Sequence, residues 1–198
     1  RPEYEKSDRS FALWKTPNIN ILNNNNLDRN SIKNGLICLI GESFRLGNET
    51  TRNRGSTESY SEQIKACYSH IKFIENIKKK FNIDNISVFI SSYTTQFDNK
   101  LLSIYNNYLI GNDFYPDVIG IDNLFHNTIN KIENIQKYDF IHYIRIDLFL
   151  KNYFIDIFNP TINMILFPTI TWKKMDKIEN DPRVNDTSLF IPKKYFKY

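Results

Sequence analysis

The sequence predicts an α/β fold with a mostly parallel, Rossmann-like central sheet flanked by helices, and three observations carry that prediction. The apolar run at 35–40 is continuous rather than alternating, as a strand covered on both faces requires, and 86–90 and 116–121 read as a second buried strand and a third short one. Segments with apolar residues three and four apart separate these runs, the spacing of helices with one buried face. A fourth run, 139–150, holds Arg145 and Asp147 inside otherwise apolar sequence. Strand and helix thus alternate three times, the pattern of a parallel sheet built by right-handed crossovers.

The elements follow in order. Residues 1–34 are polar and irregular and end in Asn23-Asn-Asn-Asn26; they read as a lead-in anchored by Trp14. Residues 35–198 read as one domain. Its first strand, Gly35-Leu-Ile-Cys-Leu-Ile40, is followed by Gly41 and a polar loop. A helix over 61–81 carries Ile64, Cys67, Tyr68, Ile71, Ile74 and Ile77 on its apolar stripe, with Ser59 or Ser61 as cap. The strand 86–90 ends in the polar Ser91-Ser-Tyr-Thr-Thr95. A helix over 98–109 puts Leu101, Leu102, Tyr105 and Leu109 on one side. The third strand is 116–121, and a helix over 125–135 leads into the fourth. After Leu150 the pattern changes: an apolar stretch at 153–158, a strand at 164–167, a polar stretch at 173–183, a late strand at 187–191 and a helix starting at 193.

Composition narrows the class. Hydrophobic residues make up 41% of the 198 and charged residues 24%, ordinary values for a globular protein. The abundance of Asn, Ile and Lys fits an AT-rich coding genome. The net charge of +4 is spread along the chain apart from Lys78-Lys79-Lys80 and Lys193-Lys194, which read as solvated faces, so no nucleic-acid footprint is expected. Cys38 and Cys67 lie in apolar surroundings at no metal spacing, which fits a reduced, cytoplasmic setting. No run is long enough to span a membrane. The chain opens on Arg1-Pro2 rather than Met, as expected of a piece of something longer.

Several chemistries are disfavoured by missing motifs. There is no Gly-x-Gly-x-x-Gly, P-loop, Gly-x-Ser-x-Gly or His-Glu-x-x-His, and His70, His126 and His142 read as structural. What remains are polar clusters at predicted strand ends: Gly41-Glu-Ser-Phe-Arg45 after the first, Ser91 to Thr95 after the second, Asp122-Asn123 after the third, and Arg145 with Asp147 at the fourth. In a parallel sheet these meet on one edge, where ligands bind in open α/β folds. Arg145 and Asp147 are two apart, so in a strand they share a face. Charges inside an apolar run call for a partner or a ligand; an internal ion pair is the bland explanation.

The apolar strand with Gly41-Glu-Ser-Phe-Arg45, then Ser61-Glu-Gln with Ala66 and Ser69-His70, resembles a group of viral and bacterial glycosyltransferase-like proteins. Tyr138-Asp-Phe ahead of Arg145-Ile-Asp147, and Arg183-Val-Asn-Asp186 before Phe190, agree with it. The resemblance implies a GT-A-like fold, with 35–150 as a nucleotide-binding half and 151–198 as an acceptor-side half. It implies transfer of a sugar from a nucleoside-diphosphate sugar to a hydroxyl of a glycan or glycoprotein. Such enzymes usually hold a divalent ion, Mn²⁺ or Mg²⁺, on an Asp-x-Asp beyond a core strand; here Arg145 replaces the first Asp. Either Asp147 still binds the ion, or Arg145 bridges the diphosphate with its planar fork. Gly41, Ser43 and Arg45 are further candidates for the nucleotide phosphates, with Arg52 and Arg54 behind them. Ser91 and Tyr93 are candidates for base or ribose, and Asp122 for ribose hydroxyls. Asp186 is the candidate base for the acceptor hydroxyl, and Trp172 and Tyr153 are candidates to stack on a sugar. The rival expectation is a degenerate transferase that binds glycan or a protein without catalysis.

Overall fold

The computed structural model describes residues 31–46, 53–152, 154, 158–162, 165 and 188–196. Among them a five-stranded, mostly parallel sheet runs in the order β3-β2-β1-β4-β5, with β1 (Asn34–Gly41), β2 (Asn85–Tyr93), β3 (Leu109–Tyr115), β4 (Phe140–Arg145) and β5 (Ser188–Pro192). The first four strands pair in parallel and β5 runs antiparallel to β4. Successive strands spread outward from β1 to β3, then the chain returns to place β4 on the other flank of β1. The order therefore reverses between β1 and β4.

Both faces of the sheet are covered, which is why β1 is apolar over 36–40 and β4 is buried over 140–144, His142 included. Ile37, Leu39, Val88, Ile90, Phe140 and Ile144 face α1 (Tyr60–Phe81) and α2 (Asp98–Tyr105), packing on Cys67, Phe73, Ile74, Ile77, Leu101 and Tyr105. Leu36, Cys38, Ile40, Phe89, Ile141 and Tyr143 form the opposite core, with Phe125 of α3 (Ile121–Lys131) against it. Cys38 and Cys67 are free and buried on opposite sides of the sheet. Gly35 is fixed by close approach, since a Cβ there would lie 2.3 Å from the Phe140 ring. Helix α1 ends on Asn82 in the left-handed conformation, and its last turn carries Lys78, Lys79 and Lys80, where cations complement the helix dipole.

The structure corrects several expectations. α2 stops at Tyr105, and Leu109 opens β3 instead of closing the helix. The third strand is thus 109–115, while 116–120 is a connection and Ile121 begins α3. β3 is an edge strand with partly exposed polar positions, so it lacks the continuous apolar run of a buried strand. On α1, Tyr68 is exposed, whereas Gln63, Ser69 and His70 are buried among the apolar residues. Neither serine caps that helix with its side chain: Ser59 donates to the Ser56 carbonyl and Ser61 lies inside the helix. β4 ends at Arg145, so Asp147 lies just beyond the strand. The proposed strand at 164–167 and the residues Trp14, Arg52, Tyr153, Trp172, Arg183 and Asp186 lie outside the described residues in whole or in most part.

Candidate functional site

The C-terminal ends of β1 and β4 lie side by side, with Ile40 paired to Arg145. Open α/β sheets bind ligands at such a reversal of strand order because the two flanking loops diverge and leave a crevice. Gly41 makes the exit from β1 with φ of +110°, and a Cβ there would come within 3.2 Å of the Arg145 Cγ. The missing side chain lets the Arg145 stem lie across the strand end.

Arg45, Arg145 and Asp147 converge there. Arg145 Nε donates to Asp147 Oδ1 at 2.6 Å, and Arg45 Nη2 reaches Asp147 Oδ2 at 3.2 Å. Arg45 Nη1 also lies 3.7 Å from Glu42 Oε2. The side chains of Arg45, Arg145 and Asp147 are 24%, 27% and 15% exposed, so the cluster is half-shielded yet open to solvent. The ion pair that explains two charges in an apolar run is present, extended by a second arginine from the loop after the neighbouring strand β1.

The loop bearing Arg45 is held by side chains from two other elements. Ser92 Oγ donates to the Gly41 carbonyl at 2.7 Å and lies 3.3 Å from the Ser43 amide nitrogen. Phe44 adopts φ of 51° and buries its ring against Tyr60 and Phe97, while its amide donates to Gln63 Oε1 at 2.9 Å. The same Gln63 donates through Nε2 to the Ile146 carbonyl at 2.8 Å. One amide side chain thus ties together the segments that carry Arg45 and Arg145. His70 and Ser69 extend the clamp: His70 Nε2 lies 2.7 Å from the Leu148 carbonyl, and Ser69 Oγ accepts from the Leu150 amide at 2.9 Å. His70 Nδ1 meets the Tyr105 hydroxyl at 2.8 Å. Burial lowers the His70 pKa to about 4, so the ring is neutral, donating to Leu148 from Nε2 and accepting from Tyr105 at Nδ1.

A second group lies at the end of β2. The Arg54 guanidinium sits over the Tyr93 ring at 5.0 Å, and its Nη1 is buried without a hydrogen-bond partner among the described residues. Glu42 and Arg54 both act on the Tyr93 hydroxyl, which burial above all pushes upward in pKa. Ser91 is fully buried on the same face of β2, and its Oγ too has no partner among the described residues. Cation–π contact and an unsatisfied guanidinium donor mark a place suited to an anion or a polar planar group.

Of the sequence candidates, the structure brings Gly41, Ser43, Arg45, Arg145 and Asp147 to one edge, with Ser91 and Tyr93 on the adjoining strand. Ser43 is buried and holds its loop rather than lining an open surface. Asp122 does not follow a strand; it is exposed in the first turn of α3. Asp186 lies outside the described residues. Among the described residues no group of three or more His, Cys, Asp and Glu side chains is placed to hold a metal ion. From the sequence His70 reads as structural, and the structure agrees, whereas the sequence assigns no individual role to Gln63, Ser69 or Ser92. Part of the signal was there: positions 63, 66, 67 and 70 of a helix share one face, Ala66 and Cys67 mark that face as buried, and a Gln63 or His70 placed on it needs a partner.

The sequence matches no family model, and no curated protein or solved structure matches it either. No helix among the described residues is long and apolar enough to cross a membrane.

Proposed function

We propose that the chain is a glycosyltransferase of GT-A-like, Rossmann-like architecture, moving a sugar from a nucleoside-diphosphate sugar to a hydroxyl of a glycan or glycoprotein. The observation that carries the reading is the convergence of Arg45 and Arg145 on Asp147 where the strand order reverses between β1 and β4. Two guanidinium groups at that edge suit the diphosphate of a sugar nucleotide and stabilise the negative charge that grows on it as it departs. Tyr93, with Arg54 over its ring, stands on the β2 side, where base or ribose would extend. Asp186 is the proposed base. The acceptor hydroxyl gives its proton to that carboxylate, its oxygen bonds to the anomeric carbon, and the bond to the diphosphate oxygen breaks with its electron pair.

One observation favours the rival, a module that binds a phosphate-bearing ligand without catalysis. The carboxylates of the described crevice, Glu42 and Asp147, both contact Arg45, so the described residues supply recognition without a base. The two readings separate in one experiment. Donors such as UDP-glucose, UDP-N-acetylglucosamine and GDP-mannose are screened by thermal shift, and the stabilising donor is incubated with glycan acceptors. The transferase reading expects one donor to stabilise the fold, through linkage of binding to folding, and to release nucleoside diphosphate once acceptor is added. Stabilisation without turnover supports the binding module. A folded protein that responds to none of the donors contradicts both.

A further inference from the structure

We infer that this crevice grips its diphosphate with arginine alone, Asp147 serving as the shared counter-ion that aligns two guanidinium groups rather than as the ligand of a divalent cation. The inference rests on the nucleotide-sugar reading above and deepens it. A Mg²⁺ or Mn²⁺ ion needs several oxygen ligands with their lone pairs turned toward it. Here Asp147 turns Oδ1 to Arg145 and Oδ2 to Arg45, and the neighbouring Glu42 carboxylate also lies against Arg45. A dication at Asp147 would displace a guanidinium and then sit beside it, like charge against like charge. The described residues do not fit the metal that the resemblance implies.

The same geometry fits a phosphate. Arg145 meets Asp147 through Nε, and no described contact uses its two Nη groups. That end-on edge of the guanidinium forms paired hydrogen bonds to two oxygens of one phosphate. Its position is built into the backbone, since the stem crosses Gly41 where a Cβ would stand 3.2 Å away. Asp147 fixes the roll of the fork and holds Arg45 beside it. Arg54 brings a third guanidinium with a buried, unpartnered Nη1. Among the described residues at these strand ends, the guanidinium groups of Arg45, Arg145 and Arg54 outnumber the carboxylates of Glu42 and Asp147.

The test is calorimetric titration of the full chain with UDP, GDP, ADP, CDP and dTDP, in EDTA and again in manganese chloride. The best ligand should bind with affinities within about twofold in the two buffers. Arg145→Ala should weaken binding roughly tenfold or more, the loss expected for charge-assisted hydrogen bonds. Arg145→Lys, which keeps the charge and loses the fork, should also bind more weakly than the parent and guards against an unfolded alanine variant. Asp147→Asn should weaken binding equally in both buffers, because it misaligns arginines. Binding that requires manganese and disappears in EDTA overturns the inference and leaves the nucleotide-sugar reading standing. Metal-independent binding that Arg145→Ala and Asp147→Asn leave intact overturns the arginine assignment. Absence of binding by every diphosphate in both buffers overturns the reading and the inference together.

Discussion

Two aspartates bracket β4, and they do opposite things. Asp139, just before the strand, accepts the backbone amides of Lys33 at 2.8 Å and Asn34 at 2.9 Å through one oxygen, tying the entrance of β1 to that of β4. Its own carbonyl accepts from the Lys193 amide at 2.9 Å, so the 3₁₀ turn after β5 joins the lock. Asp147, just past the other end, accepts no backbone donor among the described residues and meets two arginine side chains instead. Backbone amides cannot turn to a ligand without unfolding something, whereas guanidinium groups on flexible stems can. The first carboxylate belongs to the fold and the second to a site.

Substitutions can break that contrast or sharpen it. The largest effect is expected at the fold end: Asp139→Ala leaves two amides without their charged acceptor and should cost about 3 kcal/mol, read from urea unfolding. Asp147→Asn should cost about 1 kcal/mol or less, since its partners are partly solvated. Equal losses at the two positions would erase the distinction. Gln63→Ala comes next. It strands the buried Phe44 amide and Ile146 carbonyl together, and should cost about 2 kcal/mol while loosening both loops of the crevice. Gln63→Glu retains the acceptor for Phe44 and should fall between parent and alanine.

Two smaller effects concern the interior. His142 sits in a box of Phe73, Phe154, Phe158 and Phe190, stacked 4.9 Å from the Phe158 ring, with Ser188 Oγ 2.8 Å from its Nε2. Burial lowers its pKa to about 3, as it lowers that of His70 to about 4, both from 6.5. The unfolded chain therefore takes up protons below pH 6.5 that the folded chain refuses until about pH 3–4. Stability is unaffected above that window and falls as pH drops through it, by up to about 1.4 kcal/mol per unit for each ring. Urea midpoints at pH 7, 6 and 5 check this, and His142→Leu should remove about half of the slope. Gly41→Ala, strained by its positive φ and pressed on the Arg145 stem, should cost about 1 kcal/mol and weaken ligand affinity more than its stability loss explains.

Buried strands were plainly legible in the sequence, because a strand covered on both faces is mostly apolar; residues 36–40 of β1, 88–90 of β2 and the core of β4 around the buried His142 show it. The edge was not: β3 needs only one neighbour and tolerates Asn112 and Asp113, so its sequence looks like a loop, while the apolar Val118 that looked like strand is exposed. Arg145 and Asp147 were legible as an anomaly, since two charges in an apolar run demand a reason. Arg45 as the third member was legible only as a residue after a strand, because its meeting with Asp147 depends on the β1–β4 pairing. His70 was legible as a structural histidine but its partners were not, and Gln63 and Ser69 escaped because polar residues on an amphipathic helix are normally assigned to solvent; only tertiary structure shows the loops they meet.

The most direct test of the central claim is a titration of arginine-labelled protein followed through side-chain Nε–H signals in NMR spectra. The titrant is the nucleoside-diphosphate sugar that stabilises the protein best, added in EDTA. The account predicts that the signals of Arg45 and Arg145 shift most and saturate together, with Arg54 following and the Arg145→Lys variant losing the response. Shifts confined to other parts of the chain, with Arg45 and Arg145 unmoved at saturation, would contradict it.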